Sequence, residues 1–228
     1  MISVVIPCLN GEARLPACLD ALVGPTVDGL VREVIVVDGG SDDQSAAIAD
    51  GFGARVVMSE PGRGQQLAMG AKAAKSDWLL FLHADTVLAD DWSKDAAIFV
   101  KEGAMRAAVF TLRFDTSGFA PNIVSGGAMV RTRLLKLPYG DQGLLISRAL
   151  YDAVGGFGNM PLMEDAEFIR RLTKKHGRKA LEILPARAIT SAARYERDGY
   201  FTRVFKNSCI LLRFLMGASP EALKRSYE

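Results

Sequence analysis

The sequence predicts an α/β protein whose mostly parallel sheet is flanked by helices, and three observations predict it. The first hundred residues alternate short apolar runs with segments of helical periodicity. The runs are continuously apolar, as in strands buried on both faces of a sheet. Three of them stop abruptly in polar residues, which is how strands end at a ligand crevice.

Ile2–Ile6 is the first run, ended by Pro7, and Arg14–Leu22 follows with apolar residues at helical spacing. Val34–Val37 is a second strand closed by Asp38, and Gln44–Ala49 is helix-like. Ala54–Met58 is a third strand, Gly62–Gly64 a turn, and the Ala-rich Gln65–Ala74 a helix. Trp78–Leu82 is the fourth strand. Strands joined by helices of this length imply right-handed crossovers and a Rossmann-like parallel sheet. The second half is less regular. It reads as strands at Ala107–Phe114, Gly143–Ser147 and Leu181–Leu184, with helices at Asn122–Leu137, Glu164–Lys175 and Tyr200–Met216.

Nothing in the 228 residues looks like a linker, a repeat or a low-complexity run, so a single domain is expected. The composition, 49% apolar and 24% charged, is that of ordinary soluble proteins. A net charge of +2 argues against a general nucleic-acid binder. The stretch from Arg187 to Arg213 is mildly basic and would suit phosphate groups or an anionic membrane surface. Three cysteines, Cys8, Cys18 and Cys209, form no CxxC pair, which reads as a reducing compartment. The N-terminal apolar run breaks at Asn10 and lacks a basic flank, too short for a signal peptide. No run approaches the ~20 apolar residues of a spanning helix. A cytoplasmic location is expected, at most peripheral to the inner face of a membrane.

The chemistry should gather at the strand ends. Asn10 and Glu12 follow the first strand, Asp38-Gly39-Gly40-Ser41-Asp42 the second, and His83-Ala84-Asp85 the fourth. In an open parallel sheet these are carboxyl ends on one edge. Each cluster alone also reads as turns and helix caps; all three together favour a site. Asp38 can accept hydrogen bonds from a ribose or base edge, or it caps a helix. Arg63, between two glycines, suits bidentate phosphate contacts, or it is a solvated turn residue. Asp85 offers the hard oxygen that a divalent cation needs, and manganese would also accept the His83 imidazole. The plain alternative is a buried His beside a capping Asp. Glu164 and Asp165 open a helix, whose dipole keeps carboxylates ionised. That is ordinary in first turns, and it is also what a general base requires.

The series ISVVIPCLNGE, VIVVDGGSDD, GRGQQLAMGA, WLLFLHADT and MEDAEFIRRL, in this order, resembles the family 2 glycosyltransferases with the GT-A fold, from residue 2 to about 175. Within that family LHADT, YGDQG and the pair Arg194-Tyr195 look closest to the branch of radical-SAM/selenodomain-associated transferases. The resemblance implies a nucleotide-sugar donor half over 1–105, an acceptor half over 106–190 and a C-terminal helical segment over 191–228. It implies that Pro7, Leu9, Asn10, Glu12, Asp38 and Gly40 line the nucleotide pocket, with Arg63, His83 and Arg194 near the diphosphate. Asp85 matches the last acid of the family's DxD motif and, with His83, would hold manganese or magnesium. Asp165 matches the catalytic base of the family's Glu-Asp motif, with Glu164 beside it, and the reaction would be inverting. Tyr139–Gln142 lies where acceptor contacts fall, which makes Asp141 and Gln142 candidates; a turn around Gly140 explains the segment equally well. Two departures stand out: His83 replaces the first DxD acid, and Ala68 stands where an Asn is frequent.

The expected partners are a nucleotide sugar and an acceptor hydroxyl, without nucleic acid. The final helix carries a stripe of Phe201, Val204, Phe205, Leu211, Leu212 and Leu215, which packs on the domain or on a second copy. The other reading lays this helix on a membrane surface. A nucleotidyltransferase would want a glycine-rich basic loop after the first strand, and a dehydrogenase or methyltransferase a GxGxxG turn. Pro7–Glu12 is neither. A non-enzymatic relative that only binds nucleotide sugar is the remaining rival. Its donor binding would be indifferent to Asp165.

Overall fold

The computed structural model describes residues 1–103, 105–160, 162–220 and 222–223. Its strands are β1 (Ile2–Cys8), β2 (Val31–Asp38), β3 (Arg55–Met58), β4 (Trp78–Phe81), β5 (Thr86–Leu88), β6 (Ala107–Phe114), β7 (Leu144–Ser147) and β8 (Leu181–Thr190). They form one sheet in the order β3-β2-β1-β4-β7-β6-β8-β5. The four strands at the β3 end are all parallel. β7 then runs antiparallel to β4 and β6, β6 and β8 are parallel, and β5 closes the far edge antiparallel to β8.

The helices are α1 (Leu15–Val27), α2 (Ser45–Gly51), α3 (Arg63–Ala73), α4 (Trp92–Lys101), α5 (Phe119–Leu135), α6 (Arg148–Val154), α7 (Glu164–His176), α8 (Ala193–Asp198) and α9 (Tyr200–Leu215). Both faces of the sheet are covered, which explains the continuous apolar runs. Ile2, Val4 and Ile6 of β1 join one core layer with Leu80, Trp92 and Phe110, while Val5 joins the other with Val37, Phe81 and Phe168. Successive side chains point to opposite faces, so a strand between two helical layers needs an apolar residue at every step. α3 lies so close to the sheet that a Cβ on Gly70 would stand 2.2 Å from Val5 Cγ1. Only glycine permits that approach.

The mostly parallel sheet flanked by helices agrees with expectation, with several differences in detail. β7 is antiparallel, because it returns through the sheet without a crossover helix. β8 runs six residues beyond Leu184, to Thr190, where its outer half alternates exposed and buried positions. β5, α4, α6 and α8 were not expected; β5 has three residues, too few to show a period. α9 packs through Arg203, Ile210 and Phe214, whereas Phe201, Phe205, Leu212 and Leu215 of the expected stripe are exposed. Arg203 is buried because Asp198 pairs with it at 3.0 Å, and a paired charge is one of the few that a core accepts.

Candidate active site

β1 and β2 run in register to their ends, where Cys8 stands beside Asp38. The two following loops therefore meet and lace together. Asn10 donates its backbone N–H to Ser41 Oγ at 2.9 Å and accepts from Asp42 N–H at 3.1 Å. Glu12 donates its N–H to Asp43 at 3.0 Å and accepts from Gln44 N–H at 3.0 Å. Asn10 takes the left-handed conformation this needs (φ 51°), as does Gly40 (φ 87°). Gln66 of α3 donates to both Cys8 O and Val37 O at 2.8 Å, clamping the two strand ends.

Asp38 is the focus of this corner. Its Oδ1 accepts from Ser41 N–H at 2.8 Å and Ser41 Oγ at 2.7 Å. Its Oδ2 is buried and has no partner in the chain. A buried acceptor left this way costs about 1–3 kcal/mol, so it is suited to a ligand's N–H or O–H. Pro7 is buried within β1, while Leu9 is exposed at the loop tip.

The loop after β4 carries His83 and Asp85 into the same edge. A Cβ on Gly11 would lie 3.7 Å from Ala84, so this loop borders the Asp38 corner. Ser191 N–H donates to Asp85 O at 3.2 Å, which ties the loop to the end of β8. Burial, with the positive charges of Arg63 and Arg194, holds the His83 imidazole well below its ordinary pKa. It is neutral at physiological pH, the form in which imidazole binds a metal. Gly140 leaves it room; a Cβ there would meet His83 Nε2 at 2.4 Å. Among the described residues no three metal-ligating side chains are grouped together. Asp85 and His83 are donors of the right chemistry for manganese or magnesium. Such an ion would need diphosphate oxygens and water to complete its shell.

The third component is the start of α7. Met163 enters it with φ 64°, an uncommon conformation for a residue with a side chain. Asp165 then accepts from Gly140 N–H and Ala166 N–H, both at 2.6 Å. Glu164 is buried at 3.5 Å from Arg63. Burial, and then the charge of Asp165, push its carboxyl up to about 7. Asp141 is pushed up to about 6, chiefly by burial, with Arg131 opposing and Asp165 and Asp85 adding to the rise. Its Oδ1 has no partner in the chain.

Arg63, His83, Asp85, Asp141, Glu164, Asp165 and Arg194 thus share one electrostatic neighbourhood beside the Asp38 corner. Gln142 does not belong to it. It is fully buried, donating to Phe110 O at 3.1 Å and accepting from Thr132 Oγ1 at 2.7 Å, so it braces the core and meets no acceptor. Three groups escaped the sequence reading. Arg131 stacks 3.6 Å over the Tyr139 ring, and its Nη2 is buried without a partner. Gly140 orients Asp165 through its backbone, which a side-chain motif does not reveal. Gln66 had a detectable signal, as the polar residue at a buried position of an Ala-rich helix.

The model of the family described as "Glycosyl transferase family 2" matches residues 3–155. A glucosyl-3-phosphoglycerate synthase of Mycobacterium tuberculosis is 40% identical over 95 residues, 38% of this chain and 29% of that protein. A PGL/p-HBAD biosynthesis glycosyltransferase of Mycobacterium bovis is 34% identical over 167 residues, 69% of this chain and 63% of its own length. The chain thus spans less than two thirds of these relatives. A crystal structure of the M. tuberculosis glucosyl-3-phosphoglycerate synthase with Mn2+, UDP and phosphoglyceric acid superposes with a TM-score of 0.59 at 25% identity, over 80% of this chain and 67% of that one. Its sheet and helices match those seen here, and on the matched residues the chain belongs to glycosyl transferase family 2, with the GT-A fold.

Proposed function

We propose that the chain moves a sugar from a UDP-linked donor to an acceptor hydroxyl, with inversion at the anomeric carbon and with Mn2+ or Mg2+ as cofactor. One observation carries this reading: the ends of β1, β2 and β4 bring the unsatisfied Asp38 and the acid Asp85 to the same sheet edge as Asp165. The UDP and Mn2+ held by the similar synthase support the choice of base and metal. LHADT, YGDQG and Arg194-Tyr195 support the selenodomain-associated branch. We read the chain as one transferase domain, with donor half 1–105, acceptor half 106–190 and helical segment 191–228.

In this mechanism Asp38 Oδ2 accepts a hydrogen bond from the nucleoside, beside Asn10, Glu12 and Gly40. The acceptor lies against Tyr139 and Asp141. Asp165 takes the proton of its hydroxyl as the oxygen attacks the anomeric carbon. The diphosphate departs on the opposite side, and the cations Arg63 and Arg194 balance its growing charge. Glu164 holds Arg63 toward that path. A divalent ion at Asp85, with His83 as second donor, supplies Lewis acidity to the same oxygens when bound. The three unbridged cysteines support a reducing, cytoplasmic setting.

The test is thermal stability with nucleoside diphosphates, with and without Mn2+, followed by release of UDP from UDP-sugars. A ligand that binds only the folded chain raises its melting point. The reading expects Mn2+-dependent stabilisation by UDP, lost in Asp85→Ala, together with turnover lost in Asp165→Asn. Folded protein that ignores every nucleotide overturns it. UDP binding with no turnover in the unaltered chain favours the binding-only rival.

A further inference from the structure

We infer that the exposed faces of α5 and α9 form a docking surface for an anionic lipid bilayer. On α9 the exposed apolar side chains are Phe201, Phe205, Leu212, Leu215 and Met216. At about 100° per residue they fall within an arc of roughly 100°. On α5 Phe119, Ile123, Val130 and Leu134 are exposed within about 60°. The helices touch, and Val124 of α5 shares a small cluster with Tyr200 and Val204 of α9. That contact lies roughly a quarter-turn from each stripe, so the two stripes face the same side. Soluble monomers rarely expose so large a contiguous apolar surface without a use for it.

Charge selects the occupant. Neither helix contains an Asp or Glu, while Arg133 and Lys206 are exposed at the edges of the stripes, with Arg213 beside Lys206. A symmetric pairing of two copies through these faces would set cationic rim against cationic rim, with no carboxylate on either helix to answer it. Anionic headgroups supply that countercharge while the apolar stripes enter the acyl boundary. No helix among the described residues is long and apolar enough to cross a membrane, so the contact is one of lying on the surface. The face also has a place relative to the site. Ile210 and Phe214 of α9 pack on Met163 and Ala166, the residues flanking Glu164 and Asp165. Docking therefore brings the first turn of α7 close to the lipid. If the transferase reading holds, an acceptor anchored in that bilayer is within reach.

The experiment is co-sedimentation of the purified chain with vesicles of phosphatidylcholine mixed with phosphatidylglycerol, and with phosphatidylcholine alone. The variant is Phe205→Glu combined with Leu212→Glu, both exposed, with circular dichroism and melting to verify folding. The unaltered chain is expected on the anionic vesicles, released by high salt and weaker on phosphatidylcholine alone. The variant should lose at least about tenfold in partitioning. Folded protein that stays in solution with anionic vesicles overturns the inference, as does a variant that sediments equally well. A dimer in light scattering that the variant dissociates, without vesicle binding, assigns the face to a second copy instead. None of these outcomes depends on donor binding, so the surface fails or stands separately from the transferase reading.

Discussion

The two halves of the site solve different problems. Around β1 and β2 the polar groups are almost all answered by one another: Asn10, Glu12, Ser41, Asp43 and Gln66 lace the loops, and one buried acceptor, Asp38 Oδ2, is left over. Around α7 the charges are crowded instead. Asp141 and Glu164 are both pushed toward their protonated forms by burial, beside an Asp165 held by two backbone N–H groups. A corner with one unanswered group is built to recognise; a cluster of acids in mutual conflict is built to move a proton. Recognition and chemistry are thus assigned to different stretches of sequence that meet only at the sheet edge.

The largest break in this contrast should come from Asp165→Asn. Turnover, followed as UDP release, should fall by about 10²–10⁴-fold while the UDP-induced melting shift stays. Equal loss of both would erase the division of labour. Next comes Glu164→Gln. The folded chain keeps this proton up to about pH 7, whereas the unfolded chain loses it near the ordinary 4.5. The folded state therefore binds more protons across that window, and stability falls as pH rises through it. The variant should remove up to about 3 kcal/mol of that fall, read by chemical denaturation of ligand-free protein at roughly pH 5 and pH 8. A steeper fall would mean that the pairing with Arg63 dominates the burial. Gly140→Ala forces His83 or the backbone that holds Asp165 to shift, and should cost about 1–3 kcal/mol in stability and lower turnover. Asp38→Asn sharpens the contrast from the other side. It should weaken donor affinity by about tenfold and leave kcat at saturating donor nearly unchanged.

Much of the recognition corner was legible in the sequence, because continuous apolar runs ending in Asp38 or His83-Ala84-Asp85 state both the burial of a strand and the place where it stops. The acid pair of α7 was legible from helix periodicity alone. The surroundings of that pair were not. The segment holding Tyr139 and Gly140 follows α5 and depends on contacts across the fold, and Arg131 on its helix looks like any surface cation until Tyr139 stacks on it. Gln142 misled because a polar residue beside a glycine reads as a loop contact, whereas Phe110 and Thr132 satisfy both ends of it inside the core. α9 misled for a related reason. Its inward face is anchored by an arginine whose neutralising partner, Asp198, lies on the preceding helix.

The pairing of β5 with β8 has a consequence for how the molecule is made. Thr86 and Thr190 hydrogen-bond at 3.2 Å across 104 residues of chain, and Ser191 N–H holds Asp85 O next to them. The nucleoside corner joins residues 8–45 and 66, which leave the ribosome early and meet through short loop closures. Asp85 leaves soon afterwards, yet its loop is tied down only when residues 190 and 191 arrive. During synthesis the chain therefore passes through a stage with a finished nucleoside wall and an unanchored Asp85. Competence for transfer comes last, with the closing of the sheet's far edge.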